Sequence, residues 1–309
     1  MKKTLRFLMV AVIAISVTFT SCKKADTEAD NSSELSTHSD DQSRFSNEID
    51  ATANDENAAI ESFSAFTGRP TNVLAPPCDA SFHLDSTATH RRITITYNGT
   101  VCLGAHRTRT GVVVLTMPLG QRWRDVGAVL TTTATNLKIT RISDNKSITI
   151  NGTHIVTNVT GGRLGQLAST GTIVHEITSP GMSVTFDNGS SRNWQVAKRR
   201  TFTYNAGIVI TTVGMHTDGG ITGISEWGTN RFGNSFVTSI TNPMVIRQDC
   251  DFRLVSGQVT HQRLAATVVV TFGLNAAGNP TSCPVLAPYY LKLVWTGANG
   301  IVRTVILPY

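Results

Sequence analysis

The chain has 309 residues, a formal net charge of +6, five cysteines and 7% aromatic residues. Beyond residue 75 its positives are scattered, with Lys198-Arg199-Arg200 as the one run and no aromatic ladder between them, which argues against a nucleic-acid surface. After residue 22 no stretch of 18 unbroken apolar residues occurs, so no membrane-spanning helix is predicted there.

Residues 1–22 start with Lys2, Lys3 and Arg6, continue through the apolar run LMVAVIAISVTF, and end in Thr20-Ser21-Cys22. A basic start, a short apolar core and small residues before a break describe an export signal. The Cys behind the small residues gives it the form of a bacterial lipoprotein signal, in which Cys22 receives the lipid, palmitate included. Phe19 and Ser21 depart from the commonest residues before such a Cys.

Residues 23–75 hold eleven Asp/Glu against four Lys/Arg, so an acidic segment joins a basic body of residues 76–309. Few apolar residues are available to offset the entropy of ordering, and the segment reads as a disordered tether. Phe45, Ile49, Ala53, Ile60 and Phe63 fit one face of a short helix across 43–65, with Ser43 as its cap, and such a helix would dock on the body.

The body carries strand signals in succession. They include 91–97, 111–117, 146–152, 171–177, 182–186, 200–204 and 266–272, rich in Thr and Val. In 91–97, Ile93, Ile95 and Tyr97 point one way and Arg92, Thr94 and Thr96 the other. Turn signals such as Asn98-Gly99, Asn151-Gly152, Asp187-Asn188-Gly189 and Asp218-Gly219-Gly220 separate the runs. No helix-period segment longer than ten residues follows residue 76. The fold class is therefore all-β: an antiparallel meander forming a sandwich or a curved, partly open barrel. The scattered Arg and Lys read as solvated strand faces.

Two stretches resemble each other. Cys78-Asp79 leads to Thr89-His90-Arg91-Arg92 and a strand ending in Tyr97 and Gly99, while Cys250-Asp251 leads to Thr260-His261-Gln262-Arg263 and a strand ending in Phe272-Gly273. A second Cys, Cys102 or Cys283, follows each. An even number of cysteines in an exported chain suits disulfides. If each stretch is a hairpin turning near His90 or just after Arg263, its cysteines meet at the open end. The expected pairs are Cys78–Cys102 and Cys250–Cys283, in related first and last hairpins. No CxxC pair is present, so no metal is expected.

The chain also resembles an uncharacterised family of exported Bacteroidota lipoproteins. The matching pieces are 99–102 with 107–111, Arg124-Asp125-Val126-Gly127, Thr157-Asn158, Phe186-Asp187-Asn188-Gly189, Gly228 to Gly233 and the Cys283 strand pair. It departs at Asn98-Gly99-Thr100, where the family often has an acidic Gly-Asp-Gly. The resemblance implies a lipid-anchored location in the cell envelope, at the outer membrane, and carries no activity; the sequence does not choose between the periplasmic and surface faces.

No catalytic signature stands out. His175-Glu176-Ile177-Thr178 fails the zinc-protease pattern at its second His, and neither a nucleophile elbow nor a phosphate loop occurs. Glu176 and Glu226, the body's two glutamates, would serve a glycosidase only if they faced each other. Trp123, Trp194, Trp227 and Trp295 read as packing residues first and sugar platforms second. The expectation is a non-enzymatic binding or scaffolding module, without cofactor, that meets the membrane through its lipid and takes a glycan or an envelope protein as partner. The rival readings are a glycan- or peptide-hydrolysing surface enzyme and an envelope lipid or protein carrier.

Overall fold

Among the described residues, Thr- and Val-rich runs separated by Gly, Asn and Asp turns become fifteen strands. They are β1 (Ala80–Ser86), β2 (His90–Asn98), β3 (Arg107–Pro118), β4 (Ala128–Arg141), β5 (Ser147–Asn158), β6 (Thr172–Phe186), β7 (Ser191–Tyr204) and β8 (Ile208–Gly214). They continue as β9 (His216–Asp218), β10 (Ile221–Thr229), β11 (Ser235–Arg247), β12 (Arg253–Gln262), β13 (Val268–Leu274), β14 (Tyr290–Thr296) and β15 (Val302–Pro308). The structure is a computed structural model that describes residues 32–67, 76–283, 287–297 and 300–309. Cys22 and the export signal lie outside the described residues.

All fifteen strands belong to one antiparallel sheet that runs from β1 in chain order to β7, then through β10 to β15. β8 and β10 share the slot between β7 and β11, and β9 pairs on β10. The antiparallel all-β reading stands. Ile93, Ile95 and Tyr97 are buried as the alternation requires.

The acidic segment is where the fold departs most from expectation. It forms α1 (Ser32–Ser62), followed by the short α2 (Ser64–Thr67). Ser43 is an interior residue of α1, its hydroxyl donating to the Asp40 carbonyl, and so is no cap. Phe45, Ile49, Ala53 and Ile60 are buried, yet so are Asp41, Gln42, Glu48, Asp50, Asp55 and Glu56 around the remaining faces. Ser36, Asp40, Asn47, Ala51, Asn54 and Ala58 are half-buried along one narrow stripe, so the helix is enclosed over most of its circumference rather than lying on the surface by a single apolar face. Its contacts come from β2, β3, β4, β5, β7, β10 and β12 (Tyr97, Arg109, Arg141, His154, Lys198, Glu226 and His261). One helix about 10 Å across meets that many strands only if the sheet curls around it.

A row of irregular pairings supplies the curl. Register slips occur between Thr110 and Val112, between Ala134 and Leu137, between Thr153 and Ile155, and between Ser179 and Met182, one on each successive strand pair. Such bulges bend a strand and raise its twist. Gly111 sits in the first of them at φ 115°, where a Cβ would come within 2.2 Å of the Asn136 carbonyl oxygen, so no other residue fits without moving β4.

Two cores result. In the first, Phe45, Ile49, Ile60 and Phe66 pack against Ile93, Leu115, Ile150 and Trp194. The second lies between β8 and the strands from β11 to β15 and is aliphatic and aromatic: Ile210, Ile246, Val268, Val270, Leu291, Leu293 and Trp295, reached from α1 by Leu35.

Cys78 meets Cys102 with Cα atoms 5.7 Å apart, and Cys250 meets Cys283 at 5.2 Å, so both expected pairs stand at disulfide distance. Each closes the open end of a hairpin, β1–β2 or β12–β13. The hairpin β14–β15 follows the second, which is therefore not the last. The likeness also stops short of the histidines: His90 begins β2 beside an exposed turn, while His261 is fully buried within β12.

Candidate functional site: the helix channel

The channel is built by charge complementarity. α1 carries eight Asp/Glu and one Arg, and the inward faces of β3, β4 and β7 carry cations. Arg109 is the centre. Its guanidinium grips Asp79 with two bonds of 2.7 and 2.8 Å, donates to Asp55 at 2.7 Å and reaches Glu48 at 3.3 Å. Tyr97 donates to the same Asp55 oxygen at 2.8 Å, with Arg109 over its ring. Burial works against the Arg109 charge, but Glu48, Asp79 and Asp55 outweigh it and hold the pKa above the ordinary value. Burial lifts Asp55 to about 6 despite Arg109 and Tyr97.

Lys198 and Arg200 both point inward from β7 and are 1% exposed, whereas Arg199 between them points out. Lys198 lies 2.8 Å from Glu226 and 3.8 Å from Asp50, and donates to Ser46 at 2.7 Å. Burial lowers its pKa, but Asp50 and Glu226 prevail and raise it overall. Gln42 donates to the other Glu226 oxygen at 2.7 Å. Arg200 donates to Asn54 at 2.7 Å, and its burial leaves the pKa below the usual value although Asp50 and Glu56 oppose that. Arg107 stays half-exposed beside Glu48, and the expected solvated Arg and Lys faces are thus corrected for Arg109, Lys198 and Arg200. Their strand face is covered, and a buried charge persists only when paired.

At the N-terminal end of α1, Arg141 holds Asp40 at 2.5 and 3.0 Å, and Arg231 holds Asp41 at 2.6 Å twice. Asn230 and Asn234 both donate to Glu34, at 2.8 and 2.6 Å. His38 enters a cage of Trp194, Phe236 and His261, with ring centroids 6.1, 4.5 and 4.9 Å away. Neither of its ring nitrogens finds a hydrogen-bond partner among the described residues. Burial depresses the pKa of His38, and next to it the His261 charge would depress it further; burial also brings His261 and His175 to about 3. Three imidazoles are therefore held neutral. Beside Ala53, Glu56 and Ile60, facing His175 and Arg200, the packing leaves a cavity with room for about one water molecule.

The two glutamates do not converge. Glu226 faces the channel, whereas Glu176 lies on the outer face bonded to Arg199 at 3.0 Å. Trp123, Trp194 and Trp295 are core residues. Trp227 is half-buried on the outer side, stacked on His216 with centroids 4.1 Å apart at 14°. It adjoins a shallow depression lined by Ser191, Arg192, Asn193, Gln195 and Thr229.

Sequence reading offered a helix docked on the body as the alternative to a tether but missed the charge pairing between helix and sheet. The signal was present as opposite charge in adjacent segments, acidic over 23–75 and basic beyond. No family model, curated protein or solved structure matches this chain.

Proposed function

We propose that the protein is an exported lipoprotein, anchored through Cys22 at the outer membrane like the Bacteroidota family it resembles. It acts there as a non-enzymatic module that binds a glycan. The observation that carries this reading is the occupation of the channel by α1. With Arg109, Arg141, Lys198, Arg200 and Arg231 each paired to helix side chains, recognition falls to the outer strand faces. There the Trp227–His216 stack adjoins hydroxyl and amide side chains of Ser191, Asn193, Gln195 and Thr229, with Arg192 also in the lining, an aromatic plate beside hydrogen-bonding groups. That combination suits a sugar ring, which presents an apolar face and hydroxyls at its edge. The test is glycan binding by the purified chain. Envelope polysaccharides should bind the wild-type protein, and Trp227→Ala should weaken binding at least tenfold with an unchanged melting temperature. Equal binding by wild type and variant, or hydrolysis of the glycan, overturns the reading.

A further inference from the structure

The start of α1 and the lipid-bearing Cys22 are separated by nine residues, 23–31. Fully extended, ten Cα steps reach roughly 35 Å. A spacer of the full acidic segment would have allowed several times that distance, but α1 is enclosed in the sheet and subtracts itself from the tether. The rim at which α1 enters the channel therefore stays close to the anchor. The opposite rim lies a helix length further, about 46 Å for 31 residues.

The entry rim is fixed by the pairing of Glu34 with Asn230 and Asn234, of Asp40 with Arg141 and of Asp41 with Arg231. The strand register places the β2–β3, β4–β5, β10–β11 and β14–β15 loops at this same end. Each of these loops holds an apolar side chain out to solvent: Leu103 is 93% exposed, Val101 57%, Ile142 46%, Phe232 51% and, at the start of β15, Val302 64%. Lys146, Arg263 and Arg303 stand among them with exposed side chains. The rim acids Asp144, Asp187 and Asp218 are each paired, to Arg141, Arg231 and Arg263.

We propose that this entry rim is a membrane-docking face, whose apolar loop tips rest in the headgroup–acyl boundary of the bilayer that holds the Cys22 lipid. Apolar tips with flanking cations suit that boundary, where the side chains leave water and the cations meet lipid phosphates. The proposal rests on the lipid-anchor reading. The far rim also exposes apolar residues, Val126 at 77% among them, and serves as the internal control because docking through the entry rim holds it about a helix length from the bilayer.

The test is hydrogen exchange of the lipidated full chain on vesicles of phosphatidylethanolamine and phosphatidylglycerol, against the unlipidated Cys22→Ala chain in solution. Amides of 101–106, 142–146 and 230–234 should slow at least fivefold on vesicles, and those of 119–127 and 204–207 should not change. Leu103→Ser with Phe232→Ser should remove that protection, and Val126→Ser should leave it. A chain that takes up no fatty-acid label overturns the anchor and the proposal with it. A chain that labels but shows unchanged exchange at the entry rim, or protection at the far rim instead, overturns docking while the anchor stands.

Discussion

The two halves of the sheet fill their interiors in different ways. From β11 to β15, with β8, strands supply their own core: Ile246, Val268, Val270, Leu291, Leu293 and Trp295 meet in one apolar cluster. From β1 to β7, with β10, the sheet curls too widely for its side chains to meet, and α1 fills the space. The first arrangement is non-directional and tolerates small shifts. The second is keyed. Arg109 to Glu48 and Asp55, Arg141 to Asp40 and Arg231 to Asp41 fix the helix in position and rotation at several heights. Sliding α1 by one turn would separate every pair and leave charges buried alone. Buried ion pairs add little net stability over an apolar core, but they penalise wrong arrangements heavily.

The largest difference should appear when one member of each interior is truncated. Arg109→Ala strands Asp55 and Asp79 without their shared cation, while Glu48 keeps Arg107, and should cost about 3–5 kcal/mol. Leu293→Ala leaves a cavity in the apolar half and should cost about 2–5 kcal/mol. The informative contrast lies in repair. Arg109→Ala combined with Asp55→Asn and Asp79→Asn should recover part of the loss, because the stranded charges go with it, as urea unfolding of single and triple variants would show. A triple variant no more stable than Arg109→Ala would mean that the network contributes packing alone.

Acidification should act on the buried imidazoles packed around α1. His175 and His261 have pKa values near 3 in the fold, and that of His38 is also depressed, against an ordinary value of 6.5. The unfolded chain then binds protons that the folded chain refuses, so stability falls as pH drops below about 6.5 and the loss continues towards 3. Asp55 works in the opposite sense: raised to about 6, it favours the folded state as pH falls from 6 towards 3.8. Between pH 7 and 5.5 the three imidazoles dominate, and the melting temperature should decline over that interval. His261→Gln should flatten the decline. A melting temperature that rises from pH 7 to 5.5 would refute the assignment of these rings as neutral.

The sequence disclosed the faces of the strands more fully than the charge pairing between sheet and helix, and the reason is physical. Strand alternation is local, so Ile93, Ile95 and Tyr97 could be assigned a common face from their spacing. The cysteine pairs followed from hairpin geometry over separations of 24 and 33 residues. The apolar stripe of α1 was visible at Phe45, Ile49, Ala53 and Ile60. Residues 32–42 carry no such stripe. Their order comes from partners 101 and 190 residues away, Arg141 for Asp40 and Arg231 for Asp41, and no local pattern announces them. The same non-local pairing made Lys198 and Arg200 look solvated, because alternation shows that two residues share a face without showing what covers it.

The smallest expected effect tests that distinction between faces on one strand pair. Glu176 and Arg199 sit opposite each other on β6 and β7 and pair across the outer surface, with side chains 28% and 51% exposed. Water solvates both groups when the pair is broken, and salt screens them, so Glu176→Gln should cost no more than about 1 kcal/mol. Glu226 pairs with Lys198, the inward neighbour of Arg199, where no water reaches either group. Glu226→Gln leaves Lys198 with Asp50 at 3.8 Å as its remaining carboxylate, and should cost several times more than Glu176→Gln. Raising salt from 0.05 to about 0.5 M should narrow the already small Glu176 effect and leave the Glu226 effect unchanged, since the Debye length governs exposed pairs and not enclosed ones. If the two substitutions cost the same and respond alike to salt, the inner face is solvated and the helix is not enclosed as described.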